Sequence, residues 1–284
     1  MKKAIGMMIG VILVLAIIFT GGGTSDVHAE TGSYEVIGVS MPYGENSRAV
    51  RGMLIDETTY LPLRNFSDES GAVSVTWNGY TKTATVKADG LVCEVTEGQP
   101  YIIANGRVIY SGKPNCIYNG RMYVPSRSIC KAFGFDIYWY SDTRSVYIVN
   151  RGAPIQPADE FYDQNDLYWL SRIISCEAGE TEPLLGQIAV GNVVLNRVED
   201  PSSPNTVYDV IFDTRYGIQF TPAYTPKIYQ EPTASAIIAA KICLEGYSLS
   251  DSALFFVNPR IATNNWIQRT RPFAFRIGNH DFYN

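Results

Sequence analysis

One carboxylate in the second half of the chain is placed where it could do acid chemistry. Leu167, Leu170, Ile174 and Glu177 follow one another at steps of three, four and three residues, so the spacing predicts a helix whose apolar stripe ends in a charge. Gly179 is a natural stop just beyond it. A carboxylate on the buried side of a helix, near its C-terminal end, loses water and faces the negative end of the helix dipole. Both effects favour the neutral form and raise the pKa. A group held that way is a general acid. Periodicity alone leaves a second reading equally open, in which Glu177 turns outward at a frayed helix end or pairs with Arg172 or Arg197.

Further helices must position this group. The next is expected to start with Thr181 as cap and Pro183 in its first turn, to carry Ile188, Val194 and Leu195 inward, and to use Gly186 and Gly191 for close approach. TASAIIAAKICLEG reads as another, closed by Gly246, and ALFFVNP as the only clear strand of this half. The pattern before residue 153 is different. DETTYLPLRNFSDESGAVSVTWNGYTKTATV and NGRMYVPSRSICKAFGFDIYWYSDTRSVYIV align at an offset of 63 residues through Tyr60/Tyr123, Pro62/Pro125, Arg64/Arg127 and Gly71/Gly134. After one deletion they align at 62 through Trp77/Trp139 and Lys82/Arg144. Each copy reads as a short strand into proline, a helical turn ending at glycine, then two strands across a polar turn. No acid pair or nucleophile recurs in both copies, which marks a structural or binding module. RGAPIQPADEFYDQND reads as the linker between the halves.

Composition excludes several function classes. The 284 residues are 46% hydrophobic and 18% charged, enough for a sizeable core, and a net charge of −5 predicts no nucleic-acid face. The start, with Lys2 and Lys3, an apolar run from 4 to 19 and Val27-His28-Ala29, is expected to be a secretory leader cut after Ala29, leaving no membrane attachment. Five cysteines, Cys93, Cys116, Cys130, Cys176 and Cys243, show no metal spacing and are expected as buried free thiols. His28 and His280 are the two histidines, so no mechanism needing two imidazoles survives removal of the leader. No metal and no organic cofactor is expected.

The motifs carry two resemblances. Residues 35–150, with NGRMYVPSR, resemble the copper amine oxidase-like N-terminal domain. Copper chemistry would need several His ligands, so the resemblance implies a non-catalytic, wall-associated module that binds a wall polymer or a spore protein. Residues 166–284 resemble the SleB-type cell wall hydrolases, the spore cortex-lytic family, through EAGE, GQIAVGNVVLNRV, SPNTVYDVIF, GIQFTP, ALFFVNP, NNW and IGNHDFY. That resemblance implies a lysozyme-like fold and cleavage of peptidoglycan glycan strands with one essential glutamate, by motif Glu177. Two features depart from the family pattern. The Glu182-Pro183 pair comes five residues after Glu177 instead of four, and Thr225-Pro226 stands where members carry Asp-Gly.

The expected architecture is α+β: a leader at 1–29, a β-rich two-repeat module at 30–152, a linker at 153–165 and a mainly helical lysozyme-like catalytic domain at 166–284. Substrate contacts are expected from Glu182, Gln219, Phe220, Asn258 and Trp266, with core or turn roles the competing readings for Phe220, Trp266 and Asn258. His280 is read as structural. The nearest candidates for the second carboxylate that ordinary hydrolysis needs are Glu180 and Glu182, in the turn and next helix cap where the helix dipole already explains an acid, so the expected reaction, which the resemblance also implies, is a lytic transglycosylation between N-acetylmuramic acid and N-acetylglucosamine. The competing functions are a Cys176–His280 peptidase or amidase and a wall-binding protein without activity.

Overall fold

The computed structural model describes residues 34–41 and 50–284, without the side chain of Glu180; the expected leader lies outside the described residues. The architecture is α+β, with two compact units: one holds the chain up to Pro100 with Ser111–Pro154, the other Tyr101–Tyr110 with Ile155–Asn284. Among the described residues no helix is long and apolar enough to cross a membrane.

The first unit runs β1 (Glu35–Ser40), β2 (Val50–Ile55), β3 (Thr58–Pro62), α1 (Leu63–Glu69), β4 (Ser74–Asn78), β5 (Thr83–Ala88) and β6 (Leu91–Thr96). After β7 (Tyr101–Ala104) and β8 (Arg107–Tyr110), a hairpin that clusters with the second unit, come β9 (Cys116–Tyr118), β10 (Arg121–Pro125), α2 (Ser126–Phe133), β11 (Phe135–Tyr140) and β12 (Ser145–Asn150). The sequence repeat is a structural one. β3, α1, β4 and β5 recur as β10, α2, β11 and β12 at the same offsets. The copies meet through β3 and β10, antiparallel, with Tyr60 opposite Pro125, Leu61 opposite Val124 and Pro62 opposite Tyr123. Each residue of the first copy therefore faces the equivalent of its mirror position, and a local two-fold axis passes through the Leu61–Val124 pair. The hairpins leading into these strands match as well. Asp56-Glu57 and Asn119-Gly120 all take positive φ, between 45° and 70°, which two-residue turns demand to follow the right-handed twist of their strands.

The second unit adds α3 (Ala158–Phe161), α4 (Gln164–Glu177), α5 (Leu184–Glu199), α6 (Val207–Ile211), α7 (Ala234–Leu244), β13 (Phe255–Val257), α8 (Trp266–Thr270), β14 (Phe273–Ile277) and β15 (His280–Tyr283). Asp163 caps α4 by accepting from the amides of Asn165 and Asp166, and Thr233 caps α7 by accepting from Ala236. Two expectations are corrected. Thr181 does not cap α5: its hydroxyl donates to the Ala178 carbonyl at 3.0 Å, and Pro183 holds the cap position. ALFFVNP is not the only strand, because β13, β15 and β14 form a small sheet. Those strands are short and flank a turn at Gly278 (φ 57°), too brief for a periodic signal.

α4, α5 and α7 pack around Ile173, Ile174, Ile188, Val190, Ala239 and Cys243, all buried. The hairpin β7–β8 joins this core through buried Val108 and a buried ion pair, Arg107 Nε and Nη2 on the Glu245 carboxylate at 2.7 and 2.9 Å. Tyr162 donates to the same carboxylate at 2.9 Å, and the Arg107 guanidinium lies 3.2 Å from the Phe161 ring centre. The sequence reading assigns this hairpin to the repeat module; its side chains group it with the helices.

At Gly191 side chains of α4 and α7 press against the backbone of α5. A Cβ there would lie 2.7 Å from Cys243 Sγ and 2.8 Å from Ile174 Cδ1. Gly→Ala inside a helix ordinarily gains about 1 kcal/mol, but overpacking a tight core costs about 1–3 kcal/mol. Gly191→Ala should therefore lower the denaturation midpoint, whereas an exposed helical glycine would raise it; urea unfolding of the two proteins is the check.

Candidate active site

Glu177 is the last residue of α4, one turn beyond buried Ile174. Among the described residues its carboxylate makes no hydrogen bond or ion pair, which removes the competing reading of a structural pair. Arg172 lies over the Tyr168 ring at 3.7 Å and reaches Glu231 at 3.5 Å. Arg197 donates to the Leu254 carbonyl at 2.8 Å and to Gln219 Oε1 at 3.3 Å. Burial pushes the Glu177 pKa up to about 7, opposed by the charge of Lys227. Lys227 donates to the Cys176 carbonyl at 3.0 Å, satisfying one of the acceptors that a helix C-terminus leaves open and opposing its negative dipole end. Sequence reasoning missed this lysine, because it stands 50 residues from Glu177 in a single 3-10 turn, Pro226–Tyr229, too short for a periodic signal.

Glu182 sits at the start of α5, buried to 5% exposure, and folds back onto the β14–β15 turn. Its carboxylate accepts from the Asn279 amide at 3.0 Å and from Asn279 Nδ2 at 2.8 Å. Glycine suits position 278, where φ is 57° and a Cβ would meet Glu182 Oε2 and, at 3.0 Å, Pro183 Cδ. This corrects the expectation that Glu182 touches substrate: both oxygens are occupied in holding the C-terminal turn. The Glu180 side chain lies outside the described residues.

Phe220 is corrected in the same way. It is 1% exposed and packs toward Phe256 with ring centres 6.2 Å apart, so its face is closed to a sugar. Gln219 accepts from Arg197 and donates to the Gly217 carbonyl at 2.9 Å. Asn258 Oδ1 accepts from the Arg260 amide at 3.1 Å, the turn-forming role. Trp266, 48% exposed, keeps an open ring surface beside Phe255 (6.0 Å) and Arg271 (5.4 Å). Gln219 and Trp266 thus border one cluster, centred on Phe255 and the buried guanidinium of Arg197, whose pKa desolvation lowers to about 10. The polar residues of GQIAVGNVVLNRV serve the same region. Asn192 donates to the Tyr247 carbonyl at 2.9 Å, and Asn196 to those of Ser250 and Ala253 at 2.7 and 2.9 Å, holding the segment that leads into β13.

Cys176 does not fit a nucleophile. Burial raises its thiol pKa, with Glu177 adding to the rise, and it stands at a helix C-terminus, where the dipole disfavours a thiolate. All five cysteines are free. His280 lies with Nδ1 3.5 Å from Glu182 Oε1, and burial lowers its pKa against the opposing charges of Glu182 and Asp281.

Comparison with known proteins follows the same division. Residues 181–283 match the cell wall hydrolase family, starting just past Glu177, and residues 44–148 match the copper amine oxidase N-terminal domain. The spore cortex-lytic enzyme of Bacillus cereus is 40% identical over 121 residues, 43% of this chain and 45% of that protein. The Bacillus subtilis enzyme of the same name is 37% identical, over 43% of this chain and 38% of the relative. The chain thus spans less than half the length of the curated relatives it matches. Among solved structures, the catalytic domain of the germination-specific lytic transglycosylase SleB from Bacillus anthracis is 40% identical, covering 43% of this chain and 97% of that one at a TM-score of 0.40. Both resemblances read from the motifs are borne out by these matches.

The raised Glu177 pKa has a consequence for stability. A carboxyl that ionises at about 7 when folded and near 4.5 otherwise binds its proton more tightly in the native state. Native stability is therefore full below pH 4.5 and declines as pH rises through about 7. The 2.5-unit difference corresponds to roughly 3 kcal/mol. Glu177→Gln should remove this decline, so that the variant exceeds the parent in stability at pH 8 and differs little at pH 4; chemical denaturation at both values tests it.

Proposed function

We propose that this chain is a secreted lytic transglycosylase that cleaves the bond between N-acetylmuramic acid and N-acetylglucosamine in peptidoglycan, with spore cortex glycan as its substrate. The observation that carries the reading is the unpaired carboxylate of Glu177 at the end of α4, with a pKa near 7. It is supported by the cell wall hydrolase match and by relatives named spore cortex-lytic enzymes.

The chemistry follows from that environment. Near neutral pH a large fraction of Glu177 is protonated and can give its proton to the glycosidic oxygen as the C1–O bond breaks. The carboxylate left behind is an anion in a poorly solvated place, and the Lys227 ammonium is the charge that steadies it. Glu182, the nearest described acid in sequence, is occupied by Asn279, which leaves it poorly placed as nucleophile or base. Glu177 then takes back a proton from the muramic C6 hydroxyl while that oxygen closes on C1. The products are a 1,6-anhydromuramoyl end and a free N-acetylglucosamine hydroxyl, with no water consumed. Trp266 offers an exposed ring for a sugar face.

Glu177→Gln should fold and lose at least about 10²–10⁴-fold in cortex lysis, the usual contribution of a general acid. For the parent, kcat/KM should fall as pH rises through about 7, where the acid loses its proton. Digests analysed by mass spectrometry should contain ends one water lighter than hydrolysed muramic acid. Reducing ends carrying solvent ¹⁸O would instead require a base, and would overturn the transglycosylase assignment.

A further inference from the structure

The first unit contains a cleft that arises where its internal two-fold symmetry fails. Asn65 and Glu69 on α1 correspond, at the repeat offset of 63, to Ser128 and Ala132 on α2. The α2 pair is buried, because α2 packs against β6 as well as β3, β10 and β11. The principal neighbours of α1 are β3, β10 and β4. Its Asn65/Glu69 face stays open, and the residues on it are polar where the covered copy has small ones.

The opening is a cleft of about 450 Å³, within the range of saccharide-sized sites. Around it stand Arg51 from β2, Arg121 from β10, Asn65 and Glu69 from α1, and two tyrosines, Tyr34 and Tyr118. The tyrosine hydroxyls are 2.8 Å apart and the rings meet edge to face at 4.9 Å. Neither guanidinium has an ion-pair partner among the described residues. Repetition does not explain this set, since the counterpart of Arg121 is Thr58 and that of Tyr118 is Ile55. Aromatic rings suit the apolar faces of a sugar. An amide and a carboxylate suit its hydroxyl and acetamido groups, and paired guanidinium groups suit a carboxylate.

We propose that this cleft binds an acidic amino-sugar unit of wall glycan, with Arg51 and Arg121 holding the carboxylate of the muramoyl side chain, Asn65 and Glu69 its amide and hydroxyl groups, and the tyrosines flanking the ring. It rests on the reading of the chain as a wall-glycan enzyme and adds to it a second, non-catalytic glycan site. The two copies of the repeat then have different tasks: α2 closes the core and α1 leaves the site open.

The test uses the full mature chain carrying Glu177→Gln, titrated calorimetrically with the N-acetylglucosaminyl-N-acetylmuramic acid disaccharide and with its neutral carboxamide. The expected result is two sites per chain for the acid. Adding Arg51→Gln and Arg121→Gln should weaken one of them at least tenfold, and the carboxamide should weaken the same one similarly. Arg51→Lys with Arg121→Lys, which keep the charge but not the guanidinium fork, should weaken binding less than the glutamine pair does, which separates loss of charge from loss of folding. A single site per chain, or two sites indifferent to the arginine changes, would overturn the proposal. On the Glu177→Gln background, the arginine-substituted chain keeps the other site. With Glu177 restored, the Arg51→Gln, Arg121→Gln chain should cleave soluble glycan at the parental rate. Failure of cleavage in the parent itself would count against the lytic reading, a separate result from the number of sites.

Discussion

Ile174 of α4 and Cys243 of α7 both rest on the backbone of α5 at Gly191, and the helical unit is organised by that contact. The absence of one Cβ lets three helices meet with side chains interlocked at van der Waals distance, where small changes in volume are felt at once. Glu177 lies three residues past Ile174 on the same stripe. With Ile174 seated, the helix cannot rotate to release the carboxylate into water, so the desolvation that raises its pKa is a result of core packing.

Several polar side chains around this core are held by partners, and the Glu177 carboxylate is not. Glu182 is matched by Asn279, Glu245 by Arg107 and Tyr162, and Asn192 and Asn196 by backbone carbonyls. Each would be costly to bury unpaired, and each ties a distant segment to a helix. Glu177 alone among these has no direct partner, with Lys227 near enough to act on it but bonded to the Cys176 carbonyl. A direct ion pair would hold Glu177 ionised, whereas the more distant Lys227 leaves its pKa raised by burial.

The first unit shows duplication used for two ends. The strand pair at its two-fold axis, β3 with β10, joins the copies in one sheet of order β11-β12-β1-β2-β3-β10-β9, while β4 and β5 of the first copy lie in a second sheet beside β6. Sheet pairing fixes only the strands. What lies over each helix is free to differ, and a chain with two similar helices can cover one and expose the other.

Local patterns carried much of this into the sequence. The repeat was legible because each copy must bury the same alternation of strand and helix residues, and its offsets return unchanged as element boundaries. The stripe ending at Glu177 and the close approach at Gly191 were legible for a similar reason: helical period and glycine are properties of a few neighbouring residues. Tertiary structure decided the rest. Lys227 at the end of α4, Glu182 on the Asn279 turn, Phe220 in the core and the hairpin 101–110 among the helices all depend on contacts between residues far apart in the chain. No local period encodes such a contact, because a carboxylate with a partner and one without look the same along the chain, and only the folded backbone determines which of them meets a donor.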